Sequence, residues 1–147
     1  MRQIADIAAA VVAGLGVLTA IAGGWAWWRD SLDRAFWTLW RVTQAAATLL
    51  AAIALVAFVS GYDPSDGLFW LYMLLPIAVS IIAEQLRLAS ADSVLASRDL
   101  DDAQQVGLLA ESEQRLIVST IAHRELAVIA IAALVIAFLA LRVLATA

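Results

Sequence analysis

Four long apolar runs, separated by shorter polar breaks, set the pattern of this chain. The first extends from Ile4 to Trp28 and carries one charge, Asp6, near its start. The second extends from about Phe36 to Ser60, with Arg41 and Gln44 near its beginning. The third covers Leu68 to Leu88, with Pro76 inside it and Glu84, Gln85 and Arg87 near its end. The fourth extends from about Leu116 to Leu144, and its uninterrupted apolar part begins at Leu126. A helix rising 1.5 Å per residue needs about 20 such residues to cross roughly 30 Å of hydrocarbon. Each run is long enough, so the pattern predicts four membrane-spanning helices, at about 4–28, 36–60, 68–88 and 116–144. None of the runs alternates with period two, which excludes a transmembrane β-barrel. The first run has a second reading: Arg2, the apolar stretch Ile7–Leu18 and Ala20-Ile21-Ala22 resemble a cleavable signal peptide. A membrane helix is the preferred assignment.

The breaks differ in kind. Between the first two helices, Ser31 or Asp33 is placed to cap the next helix. Between the second and third, Gly61 reads as a helix stop, Asp63 as an N-cap and Pro64 as the first helical residue. From Ala89 to Arg115 the chain is too polar for lipid. Leu88, Ala91, Val94 and Leu95 keep helical spacing there, so the third helix is expected to continue to about residue 98. Arg98-Asp99-Leu100-Asp101-Asp102 is the expected turn, and Val106, Leu108 and Leu109 suggest a short returning helix. With no internal repeat or low-complexity linker, the expected architecture is a single all-α, four-helix transmembrane bundle with a helical hairpin between helices three and four.

Composition agrees with this class. Of 147 residues, 64% are hydrophobic and 15% charged, whereas a soluble domain is about half apolar and about a quarter charged. A net charge of −4 argues against nucleic acid as a partner. The chain has no cysteine, which excludes a disulfide scaffold, a thiol nucleophile and thiolate-bound metal. All nine basic residues are arginine. Arg29, Arg34, Arg41, Arg87, Arg98, Arg115 and Arg124 flank the first and third loops; Arg2 and Arg142 lie on the other side. The positive-inside rule therefore places loops 29–35 and 89–115 in the cytoplasm and both termini outside, in a cell's inner or plasma membrane. Trp25, Trp27, Trp28, Trp37 and Trp40 gather at the first loop and Trp70 at the opposite side, the pattern of interfacial anchors. Gly16, Ala20 and Gly24 recur every four residues on the first helix, the spacing that lets two helices approach closely.

Polar side chains that could carry chemistry fall at one depth. Arg41, Gln44, Glu84, Gln85, Arg87, His123, Arg124 and Glu125 all lie near the predicted cytoplasmic boundary. Ionisable groups in membrane helices are expensive, so this belt is the candidate functional site. Glu84 and Arg87, three apart, can pair on one helix face. Across the bundle Glu84 could meet Arg41 or Arg124, and Glu125 could meet Arg87. Snorkelling to headgroups accounts for the same residues without function. His123, the only histidine, lacks a second axial partner for haem, since Met73 lies about 16 Å away in depth. It also lacks companions for zinc or iron, and a hydrogen bond toward Ser119 or Thr120, or to headgroups, is expected. Asp99, Asp101 and Asp102 fail the calcium-loop pattern, because Gln104 and Ala110 stand where glycine and glutamate belong. No cofactor is expected. The leading expectation is a non-enzymatic accessory, scaffolding or complex subunit, acting through helix contacts and an acidic cytoplasmic hairpin, in a homo-oligomer or larger membrane complex. The alternative is a small oligomeric transporter or channel using Glu84 and its arginines; a haem or quinone redox module ranks third.

Overall fold

The computed structural model describes residues 1–31 and 34–146. It contains α1 (Arg2–Arg29), α2 (Arg34–Val59), α3 (Leu68–Ala96), the short α4 (Ala103–Val106) and α5 (Glu111–Thr146), with no strand among the described residues. Four of these, all but α4, are long and apolar enough to cross a membrane. α1 packs on α2 and α5, and α3 on α2 and α5; the most extensive contact is between α1 and α5, and a slight one joins α2 to α5.

Local chemistry ends the helices where the apolar runs end. Gly61 takes φ 74°, while Tyr62 N–H bonds the Ala57 carbonyl and Gly61 N–H that of Phe58. This left-handed closure satisfies carbonyls that the end of α2 leaves open. The same closure ends α1 at Asp30 (φ 50°) and α3 at Asp99 (φ 54°), since aspartate tolerates the left-handed region better than most side chains. The start of α3 differs from expectation. The helix begins at Leu68 rather than Pro64, and it is Asp66, not Asp63, whose Oδ1 accepts a bond from Leu68 N–H at 2.9 Å. Asp33, the other expected cap, lies outside the described residues. α3 continues through Pro76, and the Ser80 hydroxyl donates to the Pro76 carbonyl at 3.0 Å.

Beyond the apolar spans, α3 and α5 extend as a pair. α5 starts at Glu111, five residues before the expected boundary, with Glu111 and Glu113 in its first turn and Glu111 paired with Arg115. Acidic residues suit a helix N-terminus, which prolongs the helix beyond its apolar part. Val94, Leu95 and Ile117 form a separate small core there, joined by Leu100, Val106 and Leu109. Asp102 caps α4 through bonds from Gln104 N–H and Gln105 N–H. Leu108, expected on the returning helix, is instead solvent-exposed.

Size sorting between inside and outside is the main feature of the packing. The buried positions include Ala5, Ala9, Ala13, Ala47, Ala54, Ala133, Ala137 and Ala140, with few large side chains such as Trp40, Phe69 and Leu50. Ile7, Leu18, Ile21, Leu49, Leu55, Phe58, Ile131 and Phe138 point outward. On α1 the close approach uses Gly16 and Gly23: a Cβ on Gly16 would lie 2.9 Å from the Ala133 carbonyl oxygen, and one on Gly23 would lie 2.9 Å from the Phe36 ring. Ala20 is half-buried against the core, whereas Gly24 faces open space, so of the expected Gly16–Ala20–Gly24 row it is Gly24 that leaves the packed face. Steps of four residues advance 40° around a helix at 3.6 residues per turn, so that row leaves the interface; a step of seven falls back only 20°.

Candidate functional site

Spacing on α2 and α3 builds the polar centre. Trp37, Trp40, Arg41 and Gln44 stand at i, i+3, i+4 and i+7, one face of a helix. Glu84 and Arg87 stand three apart on α3. Where those faces meet, Glu84 Oε1 accepts bonds from Trp40 Nε1 (3.0 Å), Gln44 Nε2 (2.7 Å) and Arg41 Nη1 (3.4 Å). Its other oxygen, Oε2, accepts from Arg87 Nη1 at 2.8 Å. Arg41 Nη1 also donates to Gln44 Oε1 at 2.9 Å, which turns the amide nitrogen of Gln44 toward Glu84.

Arg87 carries the network to α5. Its Nη2 donates to Glu125 Oε2 at 3.4 Å, and its guanidinium carbon lies 4.6 Å from the centre of the Trp37 ring. A guanidinium over an indole face is held by the ring quadrupole as well as by its ion pairs. The side chains of Arg87 and Glu125 are each 17% exposed and that of Glu84 30%. Two arginines and two glutamates thus meet as a charge-neutral group that ties α2, α3 and α5 together. A carboxylate already accepting four donors has little capacity left for a proton or a cation.

Other residues of the predicted belt lie elsewhere. His123 faces α1: its ring stacks on Trp27 with centroids 5.1 Å apart, and its Nδ1 is 3.4 Å from Asp30 Oδ1. Of the expected partners, neither Ser119 nor Thr120 bonds it, and Thr120 instead gives its hydroxyl proton to the Leu116 carbonyl of its own helix. Gln85 and Arg124 are exposed, with no hydrogen bond or ion pair among the described residues; Glu84 takes Arg41, not Arg124, from the two expected options. Among the described residues, no three histidine, aspartate or glutamate side chains converge as a metal site requires.

The tryptophans divide into two kinds. Trp25, Trp27 and Trp28 are exposed, with Trp28 at 82% and Arg29 lying 5.0 Å over the Trp25 ring. Trp40 is fully buried, so it is a core donor rather than an interfacial anchor, and Trp37 is half-buried beneath Arg87. At the opposite end Trp70 joins Phe58, Tyr62 and Phe69 in an edge-on aromatic cluster. Two bonds were not expected from the sequence: that of Trp40, and a buried hydroxyl pair, Thr19 Oγ1 to Thr43 Oγ1 at 2.8 Å. The Trp40–Gln44 spacing and the alignment of Trp37, Trp40 and Gln44 on one face were the available signals. Compared with protein-family models, curated proteins and solved structures, the chain has no significant match in any of the three.

Proposed function

We propose that this chain is a small multi-pass membrane protein, a four-helix transmembrane bundle that serves as a non-enzymatic accessory or scaffolding subunit of a larger membrane assembly. The single observation that carries this reading is Glu84, the residue best suited to transport, saturated by Trp40, Gln44, Arg41 and Arg87. A transport site needs a carboxylate that opens to a wet path and exchanges partners. Here the carboxylate holds helices together. The inside-out distribution of large apolar side chains supports residence in lipid, where an apolar outer surface carries no penalty and small residues govern helix contact.

Seven of the nine arginines lie at one end of the bundle, which supports a cytoplasmic position for loops 29–35 and 89–115 and external termini. In that orientation the hairpin formed by the ends of α3 and α5 with α4 projects into the cytoplasm. It presents Asp92, Asp99, Asp101, Asp102, Glu111 and Glu113 as an acidic surface for a partner. The test is purification of the full chain in mild detergent, followed by native mass spectrometry and an absorption spectrum. The expected result is an assembly of protein chains with no visible chromophore. A bound chromophore, or ion flux in vesicles that disappears on Glu84→Gln, contradicts the reading.

A further inference from the structure

On the outer surface, α3 and α5 leave between them a groove of about 260 Å³. Ala83 and Ala132 form its floor, because their small side chains leave the space; Ile82, Leu86, Ile131 and Val135 form its walls. All four wall residues are exposed, and the lining is wholly apolar in side chain. The groove follows the seam between the two helices, from Val79 to Leu86 on α3 and from Val128 to Val135 on α5. A flexible hydrocarbon chain fits it.

The polar end of the groove is marked by a cation. Arg124, Val128, Ile131 and Val135 stand at i, i+4, i+7 and i+11 on α5, so Arg124 continues the groove's own wall by one turn. Helical side chains lean toward the helix N-terminus, which carries this guanidinium away from the apolar lining toward the polar end. Arg41 and Arg87 at the same level are neutralised by Glu84 and Glu125. Arg124 is exposed and has no ion pair or hydrogen bond among the described residues. An apolar slot ending at an uncompensated cation matches an amphiphile with an anionic head.

We propose that this groove binds an anionic phospholipid, one acyl chain lying between α3 and α5 and the phosphate held by Arg124. The proposal rests on the membrane-spanning reading above. To test it, the full chain in mild detergent is titrated with phosphatidylglycerol and with phosphatidylcholine of identical acyl chains, and bound lipid is counted by native mass spectrometry. The wild-type chain is expected to prefer phosphatidylglycerol by about fivefold, the value of one arginine at a lipid surface. Arg124→Gln removes the preference and Arg124→Lys keeps it, while Arg98→Gln, at an exposed arginine outside the groove, leaves it unchanged. The double variant Leu86→Ala, Ile131→Ala weakens both lipids and preserves their ratio. An unchanged ratio in Arg124→Gln, an equal loss in Arg98→Gln, or displacement of the lipid by millimolar inorganic phosphate overturns the proposal. Carbonate extraction of membranes carrying the chain separates the two readings. A chain released by carbonate contradicts the membrane-spanning reading, whereas a retained chain with no lipid preference contradicts the groove alone.

Discussion

Trp40 on α2 donates its indole proton to Glu84 on α3 across 3.0 Å, and the donating indole is fully buried. Two demands are met by one bond. A buried indole N–H needs an acceptor, and a partly buried carboxylate needs donors. Glu84→Gln retains an oxygen for Trp40 but removes one of the two anions paired with Arg87, so a loss of about 1 kcal/mol is expected. Glu84→Leu leaves the Trp40 indole and the Gln44 amide nitrogen without an acceptor and Arg87 with Glu125 alone. It should cost about 2–3 kcal/mol, less than a fully buried pair because the site is partly exposed. Unfolding midpoints in detergent distinguish the two; equal, negligible losses contradict a clamp at Glu84.

Glycine substitutions on α1 should divide by face. Gly24→Ala meets nothing within 4 Å and replaces the poorer helix former, so stability should hold or rise by up to about 1 kcal/mol. Gly16→Ala drives a Cβ to 2.9 Å from the Ala133 carbonyl oxygen and 3.0 Å from Ala137 Cβ, backbone and side chain of a packed helix. It should destabilise by about 1–3 kcal/mol, the range for overpacking. A reversed order of the two midpoints contradicts the α1–α5 interface.

The contrast between Gly16 and Gly24 shows where sequence reading reached its limit. Four helices long and apolar enough to cross a membrane were legible because length and apolarity are properties of the sequence alone, and the polar belt because charges in apolar runs stand out. Which face of α1 packs was not legible. Glycine and alanine occupy several faces of that helix, so no apolar-versus-polar stripe singles one out, and the choice is made by shape across the interface. Trp40 was misplaced for a related reason: a tryptophan at a helix end is an anchor or a core donor according to what faces it. Glu84 faces it from another helix, at a distance in sequence that spacing rules do not cover. The start of α5 at Glu111 was missed because the extension is polar and packs on the end of α3.

The Thr19–Thr43 pair offers a third check. Thr43 gives its proton to the Leu39 carbonyl at 2.9 Å, so Thr19 is the donor to Thr43. Thr19→Val keeps the shape and removes that donor. A double-mutant cycle with Thr43→Val should return a coupling of about 0.6 kcal/mol, typical of hydrogen bonds between membrane helices. Zero coupling contradicts a hydrogen bond between α1 and α2 at this point.

His123 stacks on Trp27 and approaches Asp30, joining the end of α1 to α5. His123→Leu should alter the fluorescence of Trp27 and cost about 0.5–1.5 kcal/mol, the value of an aromatic pair beyond its area. In a variant retaining Trp27 as its only tryptophan, an emission spectrum unaffected by His123→Leu contradicts the stack.

If four helices cross a membrane with the arginine-rich end in the cytoplasm, the three connections differ in sidedness. Ser31, Ser65 and Ser97 are all exposed and lie in the first, second and third connections. The chain has no native cysteine to confuse the reading, so single cysteines at these positions can be labelled in intact cells with a membrane-impermeant maleimide. Cysteine at Ser65 is expected to react from outside, and those at Ser31 and Ser97 only after the membrane is opened. Labelling of Ser65 from the same side as Ser97 contradicts the four-span arrangement, and labelling of Ser31 and Ser97 from outside with Ser65 protected contradicts the orientation.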